Sequence, residues 1–445
     1  MITTTSPDRL EHIAVLGLGR SGNAAARLAY ESGIDVCVFD DNAAPSDLPA
    51  ELPATCWHDA SEWDFSKIDA LILSPGIPHH HPEPHPVAAA AIAANIPILS
   101  DIELVIRLQA PSKWVIITGT NGKSTTTALI GHILSQAGID NIAGGNLGPA
   151  LAGFASPGAS GVRVVEMSSY QLERTPSLQA DAAVILNITP DHLDRHGGMD
   201  GYIAAKEQAI SNLKSDGICF LGSGDALDKL ARAYPACQRL YPEKVPLSAR
   251  NNPGLQGAHN LENIAAAIDI CEQLGVAEAD CLGAIQTFGG LAHRLQPCGN
   301  HGDIQFINDS KATNGEAASK ALAAFDDIYW LAGGIAKDDG LEACLPYADR
   351  IITAYFYGQD AARFVQESTG KIQNQSFETM QDALKAAYQD AQNQHKSGTI
   401  LLSPAAASFD QFSSFEARGD SFMELVSSLA ALQPATSDVK EVSHA

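Results

Sequence analysis

Trp114-Val-Ile-Ile-Thr-Gly-Thr-Asn-Gly-Lys-Ser124 is the stretch from which the architecture follows. Trp114 to Thr118 is a short apolar, β-branched run of the kind that forms a buried strand, and Ser124 to Gln136 has the spacing of an amphipathic helix that Gly138 ends. Between them Gly119, Thr120, Asn121 and Gly122 make a glycine-bearing loop. Strand, loop and helix in that order cradle phosphate: backbone N–H groups meet the oxygens, Lys123 reaches the β- and γ-phosphates, and Ser124 can ligate Mg²⁺. The general P-loop pattern would carry glycine at 117, where this chain has Ile117, so the loop is a variant.

Toward the N-terminus the same alternation recurs. Strand-like runs at Ile13 to Leu16, Asp35 to Phe39 and Ala70 to Leu73 precede an Ala-rich helix near Val87 to Ala94. Gly17-Leu18-Gly19-Arg20-Ser21-Gly22 follows the first strand, and Asp40 closes the second. That context suits a diphosphate on a tight glycine turn at a helix N-terminus, without saying which nucleotide carries it. His79-His-His-Pro-Glu-Pro-His85 is broken by prolines into irregular backbone that fixes no tetrahedral geometry, and it is read as a solvated loop.

Toward the C-terminus, strands are expected at Val162 to Glu166 and Ala182 to Asn187 and helices near Gly201 to Leu213 and Asn260 to Leu274. This unit closes near Gly289-Gly290. Ile304 to Asn308, Ile328 to Ala332, Ile351 to Tyr357 and Thr399 to Leu402 then read as strands of a further α/β domain. The expected fold is α/β with three domains: a Rossmann-like N-terminal domain over 1–101, a central P-loop mononucleotide-binding domain over 102–290 and a Rossmann-like C-terminal domain over 291–445. The polar, aperiodic tail beyond Leu432 is expected to fray.

Composition narrows the function. Twenty-eight Lys and Arg stand against 52 Asp and Glu, a net charge of −24, and such a surface repels nucleic-acid backbones and anionic lipid. Any nucleotide must therefore be held by local devices. The eight cysteines form no C-x-x-C pair and sit in apolar segments, which suits a reducing compartment. No apolar run of about 18 residues and no basic-then-apolar leader is present, so a cytoplasmic, uninserted enzyme is expected.

Thr118-Gly-Thr-Asn-Gly-Lys-Ser124 resembles the loop of Mur ligases and folylpolyglutamate synthases, and the likeness to Mur ligases runs from about Val15 to Glu416. Val165-Glu166-Met-Ser-Ser-Tyr-Gln171, Asn187-Ile-Thr-Pro-Asp-His192-Leu-Asp194, His259-Asn260-Leu-Glu-Asn263, Arg294, Asn308-Asp309-Ser-Lys311-Ala-Thr313-Asn314 and Leu402-Ser-Pro404 through Gly419 are similar to that family's segments. The resemblance implies an ATP-dependent amide ligase of peptidoglycan precursor synthesis, working through an acyl phosphate. It would add D-glutamate to UDP-N-acetylmuramoyl-L-alanine as a monomer. Gly119, Thr120, Asn121, Gly122, Lys123, Ser124, Thr125, Asn260, Asn263, Arg294, Asp309 and Lys311 would hold ATP. Leu18, Arg20, Ser21, Asp40, Asp41, Ser74, Pro75, Gly76, Asn146, Gln171 and His192 would surround the UDP-substrate, and Thr313, Lys337, Ser408 and Phe415 would bind D-glutamate. Ser124, Glu166, His192 and a carbamylated Lys206 would hold two Mg²⁺ ions, with Lys123, His192 and Lys206 catalytic. Relatives carry Asp where this chain has Ile335, and the D-N-P-R motif of diaminopimelate-adding relatives is absent.

Two other classes compete. An NAD-dependent dehydrogenase would use the first glycine loop but has no use for Lys123-Ser124. A P-loop protein using ATP for motion does not need the cluster from Asp309 to Asn314.

Overall fold

The computed structural model describes residues 10–146, 150–255, 258–337, 340–394 and 397–431. The expected frayed tail and the side chain of His259 lie outside the described residues. The chain divides into two compact units, Met1–Asn252 with Ala258–Phe288, and Pro253–Gly257 with Gly289–Ala445.

The first unit carries two parallel sheets. Strands β1 (His12–Leu16), β2 (Asp35–Phe39), β3 (Ala70–Leu73) and β4 (Ile98–Leu99) lie in the order β2-β1-β3-β4. After β1 the chain crosses through helix α1 (Arg20–Glu31) to β2 on one side, then returns to β3 on the other. The crevice at the C-terminal ends of β1 and β3 is therefore a topological switch point, the place where open α/β sheets bind ligands. Helices α2 (Pro86–Ala93) and α3 (Asp101–Leu108) complete this part.

Strands β5 (Lys113–Thr118), β6 (Asn141–Gly145), β7 (Val162–Glu166), β8 (Ala180–Ile185), β9 (Leu213–Leu221) and β10 (Gln238–Arg239) form the second sheet, in the order β10-β9-β8-β5-β7-β6. Helix α4 (Lys123–Gln136) makes the crossover from β5 to the edge strand β6. Val115, Ile116 and Ile117 are fully buried. Both faces of β5 are covered, as its unbroken apolar run requires in a parallel sheet. Chain reversal on the two sides of β5 makes the phosphate loop a second switch-point site. Helices α5 (Ser169–Glu173) and α6 (Met199–Ser211) follow β7 and β8. The helix expected to reach Leu213 stops at Ser211, because Leu213 opens β9 and pairs with Ala180.

The second unit has one mixed sheet. Strands β11 (Gln296–His301), β12 (Asp303–Asn308), β13 (Ile328–Gly333), β14 (Ile335–Ala336), β15 (Ile351–Tyr357), β16 (Asn374–Phe377), β17 (Ser397–Leu402) and β18 (Ala406–Ala407) occur in that chain order. The sheet runs β11-β12-β17-β13-β15-β16, with only the β11–β12 pair antiparallel, and β14 pairs separately with β18. Trp330, Leu331, Phe356 and Leu401 are fully buried at its centre.

Candidate active site

The phosphate loop begins where β5 ends. Gly119 has φ +143° and Gly122 φ +86°, the latter in the left-handed region that an L side chain enters only at a cost. A Cβ on Gly122 would also meet Asn263 Oδ1, so glycine is required there twice over. Asn187, after β8, braces the loop: its carbonyl accepts Thr120 N–H at 2.8 Å, its Oδ1 accepts Asn121 N–H at 2.8 Å, and its Nδ2 donates to Asn121 O at 3.1 Å. Lys123 Nζ donates to the Gly119 and Thr120 carbonyls at 3.0 and 2.9 Å. Thr126 Oγ1 donates to Asn263 Oδ1 at 3.2 Å and Asn263 Nδ2 to Asn260 Oδ1 at 2.8 Å, so the two expected asparagines stand beside the first turn of α4.

Lys206, on α6, reaches the same loop. It is 1% exposed, and its Nζ donates to Gly119 O at 2.9 Å above the Tyr202 ring. Burial and then the charge of Lys123 bring its pKa down to about 7. Glu166 closes β7, is 1% exposed, and accepts a hydrogen bond from Asn146 Nδ2 at 3.2 Å. Ser124 is buried at the head of α4. A hydroxyl, a carboxylate and phosphate oxygens are the hard donors that Mg²⁺ takes, and Mg²⁺ keeps several waters besides, so these residues fit such an ion. Among the described residues no three His, Cys, Asp or Glu side chains converge as an all-protein metal cage.

His192 has φ +50° and an exposed side chain whose Nε2 is 3.7 Å from Asp191 Oδ1. Its turn is tied to α5 through Tyr170, whose ring lies 5.7 Å from His192 and stacks on His196 at 5.1 Å. His196 Nε2 meets Ser169 Oγ at 2.9 Å and its Nδ1 meets Glu173 Oε1 at 3.2 Å. Ser, His and Glu stand here in the order of a nucleophile relay. Both Ser169 and His196 are buried, and the line holds the turn against α5.

A pocket of about 340 Å³ opens at the switch point of the first sheet, lined by Gly19, Arg20, Ser21, Ser74, Pro75, Gly76, Gly145, Asn146 and Ala150. Six of these are the expected surroundings of the UDP-substrate. Gly145 and Ala150 were not anticipated; they follow from the glycine-rich β6. Leu18, Asp40, Asp41, Gln171 and His192 do not line it. Asp40 instead accepts Leu18 N–H at 2.6 Å and Asn42 N–H at 2.8 Å, Asp41 Oδ2 meets His85 Nε2 at 3.0 Å, and buried Gln171 caps α5 through Ser168 while donating to Asp101 at 3.2 Å. A Cβ on Gly17 would lie 2.7 Å from Ser74 Oγ, and one on Gly22 would collide with the Gly17 carbonyl oxygen.

In the second unit, Asp309 follows β12 and is 5% exposed. Its Oδ2 accepts from Ser403 Oγ at 2.8 Å and its Oδ1 from Leu295 N–H at 3.1 Å. Burial raises its pKa to about 7 against those two bonds. Lys311 N–H donates to His293 O at 3.0 Å, its Nζ lies 5.8 Å from the Phe415 ring centre, and Thr313 N–H donates to Lys311 O at 2.9 Å. Arg294 sits in the preceding turn. β14 pairs antiparallel with β18, Ile335 with Ala407 and Ala336 with Ala406, so exposed Lys337 and buried Ser408 follow opposite ends of the pair. Arg418, fully buried, donates to Ser310 O at 2.8 Å, Ala406 O at 3.0 Å and Gly333 O at 3.3 Å, so one guanidinium joins three of these loops.

Residues 117–241 match the Mur ligase middle domain, and residues 11–100 match the Mur ligase MurD-like, N-terminal domain. The UDP-N-acetylmuramoylalanine–D-glutamate ligase of Caulobacter vibrioides is 41% identical, covering 94% of this chain and 96% of that protein. The chain belongs to the Mur ligase family. The enzyme of the same name from Agrobacterium fabrum is 39% identical over 97% of this chain and 98% of its own. Among solved structures, the Mur ligase fold is shared with UDP-N-acetylmuramate-alanine ligase MurC from Thermotoga maritima, at TM-score 0.57 and 16% identity, covering 94% of this chain and 99% of that one. MurF from Acinetobacter baumannii aligns at TM-score 0.54 and 20% identity over 70% of this chain and 77% of its own. No helix among the described residues is long and apolar enough to cross a membrane.

Proposed function

We propose that this Mur ligase joins D-glutamate to UDP-N-acetylmuramoyl-L-alanine, with cleavage of ATP to ADP and phosphate, as a cytoplasmic monomer. The observation that carries the reading is Asn146: it lines the switch-point pocket of the first sheet and donates to Glu166 beside the phosphate loop. One side chain thus faces the pocket beside the first glycine loop and also bonds the carboxylate at the end of β7, next to β5, an arrangement that serves a ligase acting on a nucleotide-linked acid with ATP and that a dehydrogenase does not need. The names and coverage of the relatives support the same choice.

A carboxylate is a poor electrophile until it is phosphorylated. The L-alanyl carboxylate oxygen attacks the γ-phosphorus of ATP, the bond to ADP breaks, and an acyl phosphate forms. The D-glutamate amine then attacks the acyl carbon, and the tetrahedral adduct loses phosphate and a proton to leave the amide. Lys123, with the amides of Gly119 to Gly122 and the hydroxyls of Ser124 and Thr125, neutralises and orients the transferring phosphoryl group. Mg²⁺, when bound at Ser124 and Glu166, supplies further neutralisation of the same charge. Asn260 and Asn263 are assigned to the nucleotide. In the second unit Arg294, Asp309 and Lys311 are assigned to ATP, and Thr313, Lys337, Ser408 and Phe415 to D-glutamate.

We assign Lys206 a carbamate for a second Mg²⁺, with His192. Only a neutral amine attacks CO₂, forming the N–C bond and releasing a proton, and a lysine whose pKa is brought down to about 7 supplies that amine near neutrality. The product replaces a cation by an anionic oxygen donor, which Mg²⁺ prefers.

Phosphate release, measured with each substrate omitted in turn, tests the reading. Release is expected only when ATP, UDP-N-acetylmuramoyl-L-alanine and D-glutamate are all present. Undiminished release without D-glutamate, or with another amino acid in its place, overturns it.

A further inference from the structure

Arg174 follows α5 and is 2% exposed. Its hydrogen bonds go to neutral acceptors of the loop after β3: Nη1 to Leu73 O at 3.2 Å and Ser74 O at 3.4 Å, Nη2 to Ile77 O at 3.1 Å and His79 Nδ1 at 3.1 Å. The neighbouring Glu173 carboxylate meets His196 instead. Arg195, from the turn that carries His192, adds a bond from Nη1 to Gly76 O at 3.0 Å while its guanidinium lies 4.8 Å from the Tyr170 ring centre. Four carbonyls of one short turn, those of Leu73, Ser74, Gly76 and Ile77, are thus held by two guanidinium groups.

Burying a guanidinium without a carboxylate partner is costly, and burial brings the pKa of Arg174 down to about 10. The arrangement has a use where the turn lies. Ser74, Pro75 and Gly76 line the pocket, whereas neither arginine does. The turn has prolines at 75 and 78, so it has few amides to offer an anion, and its carbonyl oxygens are the groups that would repel one. In a chain of net charge −24, carbonyls left free at the pocket would add to an already hostile field.

We propose that Arg174, assisted by Arg195, is a positioning residue for diphosphate recognition: Arg174 holds the carbonyl oxygens of Leu73, Ser74 and Ile77, and Arg195 that of Gly76, on guanidinium groups outside the pocket, and together they make the turn tolerant of an anion. This rests on the reading of the pocket as the site of the nucleotide diphosphate. Arg195 also makes the Gly76 carbonyl a shared partner of the pocket turn and the His192 turn.

The test is steady-state kinetics on the full chain for Arg174→Met, Arg174→Lys and Arg195→Gln, with calorimetry of UDP binding to each. KM for the nucleotide-linked acid and Kd for UDP should rise about tenfold or more in Arg174→Met, less in Arg174→Lys, and about threefold in Arg195→Gln, with KM for ATP within about twofold of the parent. A rise shared equally by ATP and the nucleotide-linked acid marks Arg174 as a general structural residue and overturns the proposal. So does unchanged UDP affinity in Arg174→Lys and Arg195→Gln, which decide the matter if Arg174→Met fails to fold. Failure of the parent protein to bind UDP overturns the pocket reading itself, and this inference with it.

Discussion

Replacing Asp309 by Asn should stabilise the second unit at the expense of nucleotide binding. The carboxylate is 5% exposed, and burial raises its pKa from 3.8 to about 7. A carboxyl whose pKa is higher in the folded state favours folding at low pH, and that contribution is lost as pH rises from 3.8 through about 7. That rise corresponds to ~4 kcal/mol withheld from stability above pH 7, and to ~2 kcal/mol at pH 5. In Asp309→Asn the new side chain keeps the shape of the old one, accepts Leu295 N–H through its carbonyl and donates to Ser403 Oγ through its amide, but the Ser403 hydroxyl loses the oxygen it donates to, which offsets about 1 kcal/mol of the gain. Melting followed at pH 5 and pH 8 should therefore show a gain on the order of 10 °C at pH 8, a much smaller one at pH 5, and weaker ATP binding throughout. A loss of stability at pH 8, or a gain equal at both pH values, would refute the reasoning.

Lys123→Ala should lower turnover by about a thousandfold or more with little change in melting temperature, and phosphate release within about tenfold of the parent would remove Lys123 from phosphoryl transfer. Gly122→Ala forces a left-handed alanine against Asn263, and calorimetry should show ATP affinity falling about tenfold while UDP affinity holds. Enzyme equilibrated with ¹³CO₂ should show a carbamate carbon by NMR that grows from pH 6 to pH 8, because the amine of Lys206 loses its proton near pH 7. Absence of that signal, together with full activity in Lys206→Ala, returns Lys206 to the role of a buried lysine on Gly119.

Much of this molecule was legible where the chain obeys simple periodicities. The strands around Trp114 to Thr118 and Ala70 to Leu73 are short apolar runs buried on both faces, and their observed bounds depart from expectation by a residue at most. The sequence shows no strand at β4, β9, β10, β14 or β18, nor at β6, β11 and β16. Asn141–Gly145 is glycine-rich, and Gln296–His301 and Asn374–Phe377 are polar edge strands with only one paired neighbour, so none carries the apolar signal of a covered strand. Missing β6 meant missing Gly145 and Ala150 in the pocket. Arg174 is not singled out by the sequence, and Arg418 lies in a family-like segment without a role, for another reason: an arginine is ordinarily solvated, and nothing in its neighbours along the chain announces that its partners will be carbonyls far away. The resemblance places Asp40 and Gln171 around the ligand; in the fold their side chains bond Leu18 N–H and Ser168 N–H, contacts that the linear sequence does not announce.

The turn from Gly17 to Gly22 bears on resistance. A Cβ at Gly17 meets Ser74, and a Cβ at Gly22 meets the Gly17 carbonyl, so every coded replacement at either position deforms the turn. Gly19 differs: it lines the pocket, and a Cβ there would meet nothing within 4 Å, so an inhibitor resting on this turn faces one glycine through which a point mutation can change the surface and two through which it cannot without deforming the pocket. Escape by substitution would run through Gly19, Arg20 or Ser21, so the durable part of the target is the backbone shape that Gly17 and Gly22 fix rather than the side-chain surface between them.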